Sequence, residues 1–155
     1  MYDNALAAIF FMQEGMKGNA EMILDYYESI SDTELSQTGG FYQFRNSDGS
    51  EPERIWMGDN AWLLIALNQY ENTYQSGKYN SLSLKLETWL RSLQMENGAL
   101  KGGYNPDGTE IPNVTEGMIT AFHAVQGYDE FHKNLLSFLQ NNRWDQELGV
   151  LMAWP

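Results

Sequence analysis

Among its 155 residues the chain has no cysteine, which excludes disulfides, thiolate nucleophiles and Cys-ligated zinc. Basic residues are scarce, with 9 Lys and Arg against 21 Asp and Glu and a net charge of −12. A field of that sign repels phosphate backbones and anionic membrane surfaces, so nucleic acid and membrane are not expected partners. A neutral or cationic ligand suits it better. No apolar run reaches the roughly eighteen residues of a membrane span. A basic segment followed by an apolar stretch is also missing from the N-terminus, so no signal peptide is visible and the compartment stays open. Gly-rich phosphate cradles, nucleophile elbows and basic stripes are lacking. His123 and His132 share no metal spacing and read as packed or solvated side chains, so neither a metal nor a cofactor is expected.

What is present is apolar and repetitive. Apolar residues make up 43% and aromatic ones 14%, enough for a core and too much for disorder. Tyr2-Asp3-Asn4-Ala5-Leu6 returns as Gly58-Asp59-Asn60-Ala61-Trp62, and more loosely as Thr115-Glu116-Gly117-Met118-Ile119. The segments before the later copies repeat too: Asn46-Ser47-Asp48-Gly49-Ser50-Glu51 and Asn105-Pro106-Asp107-Gly108-Thr109-Glu110. A period of about 50–60 residues signals a stacked array of one supersecondary unit. The repeats divide the single domain at approximately 1–52, 53–112 and 113–155.

Two kinds of helix alternate. Asp59 to Tyr74 carries Ala61, Trp62, Leu63, Leu64, Ile65, Ala66 and Leu67 without a break, the pattern of a helix covered on all sides. Asn80 to Leu93 places Leu82, Leu86, Trp89, Leu90 and Leu93 on one stripe, the pattern of an outer helix. The alternation recurs with Asn4–Met12 followed by the stripe Ile23, Tyr26, Tyr27 and Ile30. It recurs again with Glu116–Val125 followed by Phe131, Leu135, Phe138 and Leu139. Gly15, Gly18, Gly77 and Gly127 are expected to close inner helices, and Asp3, Asp59 and Thr115 to cap their starts. The turn inside each pair is short, so the paired helices are expected to run antiparallel. The longer connections are aromatic, Gly39-Gly40-Phe41-Tyr42-Gln43-Phe44-Arg45 and Gly102-Gly103-Tyr104, with a short strand expected near Phe41–Phe44. The Asn-x-Asp-Gly turns lack the further acidic ligands of a calcium loop and read as Asx-turns.

The all-α pattern describes an α/α toroid. Gly39-Gly40-Phe41-Tyr42-Gln43-Phe44, Asn46-Ser47-Asp48-Gly49-Ser50 and Gly58-Asp59-Asn60-Ala61-Trp62 together resemble the six-hairpin glycosidase superfamily of (α/α)6 barrels, in particular its poorly characterised bacterial members. The resemblance implies a sugar-binding cleft at the inner-helix starts. It implies Asp59, Glu116 and Asp3 as catalytic carboxylates, and Tyr42, Arg45, Trp56, Trp62 and Tyr104 as substrate-binding residues. Three hairpins where the superfamily has six imply a partial ring, with a homodimer or the missing half of the toroid as the expected closing partner.

The residues themselves support two carboxylates working as acid and base or nucleophile, the requirement of glycoside hydrolysis. An acid in the first helical turn is also stabilised by the helix macrodipole without any substrate, so helix capping stands beside the catalytic reading. Arg45 and Arg54 are able to grip a sugar carboxylate, although pairing with Glu51, Glu53 or Asp48 is the more ordinary expectation. The expected function is a glycoside hydrolase-like, carbohydrate-active protein binding an oligosaccharide or polysaccharide. The alternatives are a non-catalytic glycan- or protein-binding repeat scaffold and a terpenoid-cyclase-like toroid. The last rests on Gln37-Thr38-Gly39-Gly40-Phe41 and Gln94-Met95-Glu96-Asn97-Gly98 and lacks an Asp-rich run.

Overall fold

The computed structural model describes residues 1–48, 50 and 54–153. Among the described residues the fold is all-α apart from five two-residue strands. Three helix pairs follow one another: α1 (Tyr2–Gln13) with α2 (Lys17–Ile30), α4 (Met57–Tyr74) with α5 (Asn80–Ser92), and α6 (Thr115–Ala124) with α7 (Glu130–Asn142). A π-helical turn at Ser31–Leu35 and the short helix α3 (Ser36–Thr38) extend α2 toward the aromatic loop. The bounds of the long helices agree with the sequence pattern to within two residues.

The first helices of the pairs pack on one another, with α4 between α1 and α6. Each second helix lies on its own partner. Burial follows composition only in part: the apolar α1 buries just Ala5, Ala8 and Met12 and leaves Phe10 exposed. α4 buries Met57, Gly58, Asn60, Ala61, Leu63, Leu64, Ala66, Leu67 and Tyr70, but it is not covered on all sides as expected: Asp59, Trp62, Ile65, Gln69 and Asn72 form a partly exposed stripe. α5 buries only Leu82, Leu86, Trp89 and Leu90, while Leu84 stays 68% exposed. On α2 the covered stripe is Ala20, Leu24 and Tyr27, shifted from the expected one: Tyr26 faces outward and Ile23 and Ile30 are only partly covered. Neither Ala20 nor Leu24 belongs to the expected stripe, because apolar residues lie on both sides of Tyr27 and their pattern alone does not fix which side faces α1.

The ends correct two further expectations. Gly15, Gly77 and Gly127 do adopt left-handed backbone, but Gly18 lies inside the first turn of α2. The residues preceding the buried helices are Met1, Trp56 and Val114, and none of these helices has a side-chain cap bond. Asp3, Asp59 and Thr115 therefore do not cap; each stands within the first turn. Thr115 Oγ instead donates to the Met152 carbonyl.

A small antiparallel sheet sits over the helix starts. β1 (Ile55–Trp56) pairs with β2 (Gly103–Tyr104), and β2 pairs with β3 (Glu110–Ile111). Tyr42 joins through an isolated bridge to Ile55, the remnant of the expected strand. Gly103 has φ of 128°, and a Cβ there would stand 2.0 Å from the Ile55 carbonyl oxygen, so only glycine fits the middle strand. β4 (Trp144–Asp145) and β5 (Val150–Leu151) form a separate hairpin. The two Asn-x-Asp loops are Asx-turns: Asp48 accepts the Ser50 N–H at 2.9 Å, and Asp107 accepts the Thr109 N–H at 3.0 Å. Gly49, Glu51 and Glu53 lie outside the described residues.

Candidate functional site

Because the buried helices are parallel neighbours, their first turns meet at one end. α4 and α6 touch at both ends: Asn68 donates to the Ala124 carbonyl at 2.8 Å near their C-termini, and Gly58 meets Gly117 near their N-termini. A Cβ on Gly117 would stand 2.9 Å from Met57 Cε and 3.7 Å from Gly58 Cα. The two glycines let the helices approach closely, and the acid beside each comes along. Glu116 Oε2 is 3.5 Å from where a Gly58 Cβ would be. On the other side of α4, the Tyr2 backbone N–H donates to the Asp59 carboxylate, and the Tyr2 ring meets Trp62 edge-on at 5.6 Å.

Asp59 is the half-buried centre of this cluster. Burial pushes its carboxyl from the ordinary 3.8 up to about 6, and the negative charges of Glu116 and Asp3 push the same way. The terminal ammonium of Met1 and the Tyr2 N–H oppose the rise without cancelling it. That ammonium donates to the Gln43 carbonyl at 2.7 Å, and burial holds its own pKa below the usual value. Asp59 thus spends its hydrogen bond across a helix interface rather than on its own helix start.

Trp56, at the end of β1, has its indole nitrogen 3.0 Å from the position a Gly58 Cβ would take. The Arg54 guanidinium lies over the Trp56 ring at 4.8 Å. Asp3 is exposed and lines a cavity of about 220 Å³ with Asn4, Tyr27, Tyr42, Phe44 and Arg45. Tyr104 is farther along the rim, on β2, in a separate groove that Tyr42 also lines. The inner-helix starts thus bring together Asp59, Glu116, Trp56 and Trp62, with Asp3 at their edge. Tyr42 and Tyr104 belong to the sheet above.

Arg45 pairs with Glu34, from the π-helical turn, and also lies over Tyr26 at 5.7 Å, while Glu51 and Glu53, two of its expected partners, lie outside the described residues. Glu34 Oε1 accepts the Tyr42 backbone N–H at 2.6 Å as well. The sequence hides this contact because it depends on an irregular turn that carries Glu34 under the loop. Asn60 was also missed as a functional support. Fully buried, it accepts the Phe41 N–H at 2.8 Å and donates to the carbonyls of Phe41 at 3.0 Å and Trp56 at 2.9 Å. One amide clamps the aromatic loop and the strand end to the start of α4. The signal was there: Asn follows Asp in both of the first two repeat copies, and Asn4 likewise donates to Tyr27.

Among the described residues, no group of three or more His, Asp or Glu side chains is arranged to hold a metal ion. His132 is buried against the Val125 carbonyl and Asp129, while His123 is exposed. Gln94 donates to the Phe131 carbonyl at 2.9 Å, an internal structural bond, and Gln37 is exposed.

A scan against models of known protein families and a search of curated proteins each find no match. Among solved structures, the fold is similar to that of a polysaccharide lyase, with a TM-score of 0.65 at 11% sequence identity. The match covers 98% of this chain and 49% of that one, so the chain spans about half the length of the solved structure it matches. At this level of identity the likeness is one of fold.

Proposed function

We propose that the protein is carbohydrate-active and that its chemistry is glycoside hydrolysis at the shared end of α1, α4 and α6. In this reading Asp59 is the general acid that protonates the leaving oxygen, and Glu116 is the second carboxylate. The observation that carries it is the convergence of Asp59 with Glu116, with Asp59 held near neutrality by burial. A carboxyl with a raised pKa beside an acidic partner is what environment-driven division of labour between two carboxylates produces. Trp56 and Trp62 offer apolar faces for a sugar ring. The fold similarity to a polysaccharide lyase supports a saccharide ligand as well. The helix pairs are read as hairpins of an α/α toroid, repeating at about 1–52, 53–112 and 113–155. Apolar side chains left exposed at both edges, such as Phe10 and Ile119, suit contact with further hairpins, a second copy included.

Lyase chemistry removes a proton beside a sugar carboxylate and needs positive charge to hold that carboxylate. Here Asp3, Asp59 and Glu116 crowd the site, Arg45 is engaged by Glu34 and Arg54 is stacked on Trp56, so carboxylates outnumber cations, which supports a neutral sugar and hydrolysis. The test is reducing-end release from neutral and uronate-containing oligosaccharides by the wild type, Asp59→Asn and Glu116→Gln. Hydrolysis of a neutral probe, lost in both variants, is expected. An unsaturated, ultraviolet-absorbing product from uronates would overturn the hydrolytic assignment. Tight binding without turnover would turn the protein into a glycan-binding scaffold.

A further inference from the structure

Each helix pair ends in a segment that folds back onto the start of its own inner helix, and the three segments are built alike. The Gln43 carbonyl accepts the Met1 ammonium at 2.7 Å, the Gly102 carbonyl the Met57 N–H at 2.9 Å, and the Ala153 carbonyl the Thr115 N–H at 3.2 Å. Four residues before each of these carbonyls stands a glycine in left-handed backbone: Gly39, Gly98 and Gly149, with φ of 84°, 87° and 67°.

What lies on that glycine differs. A Cβ on Gly39 would stand 2.6 Å from the Trp89 ring of α5, and Lys85 of α5 pairs with Asp32 nearby at 2.7 Å. A Cβ on Gly98 would collide with the Asn134 carbonyl of α7, and Gln94 donates to the Phe131 carbonyl of that helix at 2.9 Å. In both cases the outer helix of the following pair is seated on the segment. A Cβ on Gly149 would meet no described atom within 4 Å. The two residues after each glycine show the consequence. Gly40 and Phe41 are buried, as are Ala99 and Leu100, whereas Val150 and Leu151 are 48% and 40% exposed. Beside them runs an apolar groove of about 490 Å³, lined by Ile119, Phe122, Leu136 and Trp144 among others. The third seat has the build of the first two and is open to solvent.

The chain carries a matching helix at its other edge. α2 turns Glu21 and Asp25 toward Tyr70 and Tyr79, on the side of the second pair. Its opposite flank carries Ile23, Tyr26 and Ile30 at helical spacing, with Tyr26 exposed and the two isoleucines half-covered. We propose that the β4–β5 hairpin and its groove are a docking seat for α2 of a second copy, held as α5 and α7 are held on the first two seats. Two copies then associate head to tail through two such contacts. A contact between unlike surfaces leaves no bare edge when it is made reciprocally. It follows from the repeat inside this chain and is independent of the saccharide reading.

The test is sedimentation equilibrium of the full chain from about 1 to 100 μM, with no ligand present. The wild type is expected to approach twice the monomer mass as concentration rises. Val150→Arg in the seat and Tyr26→Arg on α2, each verified as folded by its melting temperature, should both stay at the monomer mass, a loss of about tenfold or more in affinity. A wild type that is monomeric across the whole range overturns the proposal. So does a dimer that survives either substitution, because a contact between like surfaces needs only one of the two edges. Masses that keep growing beyond the pair overturn the reciprocal closure.

Discussion

Replacing Asp59 by Asn should stabilise the protein at neutral pH while removing its proposed chemistry. The side chains are nearly isosteric, and the amide oxygen can still accept the Tyr2 N–H. What changes is the charge. The native carboxyl titrates at about 6 against 3.8 when unperturbed, so the folded state holds its proton more tightly than the unfolded chain. Between those values stability falls as pH rises, and above about 6 the whole cost of ionising a confined carboxyl is felt. The shift corresponds to about 3 kcal/mol at most; half-exposure to solvent reduces this to about 1–2 kcal/mol. Urea unfolding of both proteins from pH 4 to pH 8 isolates the effect. The two should be nearly equal near pH 4, and Asp59→Asn should lead by about 1–2 kcal/mol at pH 8. A variant that is less stable by the same amount at every pH would refute the reasoning, because Asp59 would then contribute through its hydrogen bond alone.

Activity on a neutral glycan should decline as pH rises past about 6, since the acid must carry its proton; a pH–kcat/KM profile with no alkaline limb below pH 8 would count against Asp59. Asn60→Ala should cost about 3 kcal/mol by orphaning buried backbone groups of Phe41 and Trp56, and a loss below about 0.5 kcal/mol in chemical denaturation would show the clamp to be dispensable. Gly103→Ala should cost at least about 3 kcal/mol, because the new methyl would collide with the Ile55 carbonyl; near-wild-type melting would contradict the strand geometry.

The helices were legible because their signals are local. The unbroken apolar run of α4 and the one-sided stripe of α5 tell inner helix from outer, and the repeated acid marks each first turn. The contacts that assemble the site are not local. Glycines at positions 58 and 117 look like neutral filler until two helices press together through them, and they bring Asp59 and Glu116 into electrostatic contact. Arg45 and Glu34 are eleven residues apart and meet only because a π-helical turn displaces Glu34. Asp59 stands in the first turn of α4, where the helix macrodipole favours an acid, and its contact with the Tyr2 N–H of a neighbouring segment is not readable from local sequence. Of the aromatic residues, Trp56 and Trp62 adjoin the acids, whereas strand pairing carries Tyr42 and Tyr104 to a face of their own.

The most direct test of the central claim is an NMR titration of the Asp59 carboxyl carbon in the wild type and in Glu116→Gln. A midpoint near 6 that falls when Glu116 is neutralised is the expected result. A midpoint below about 4 in both proteins would mean that the two carboxylates share no site.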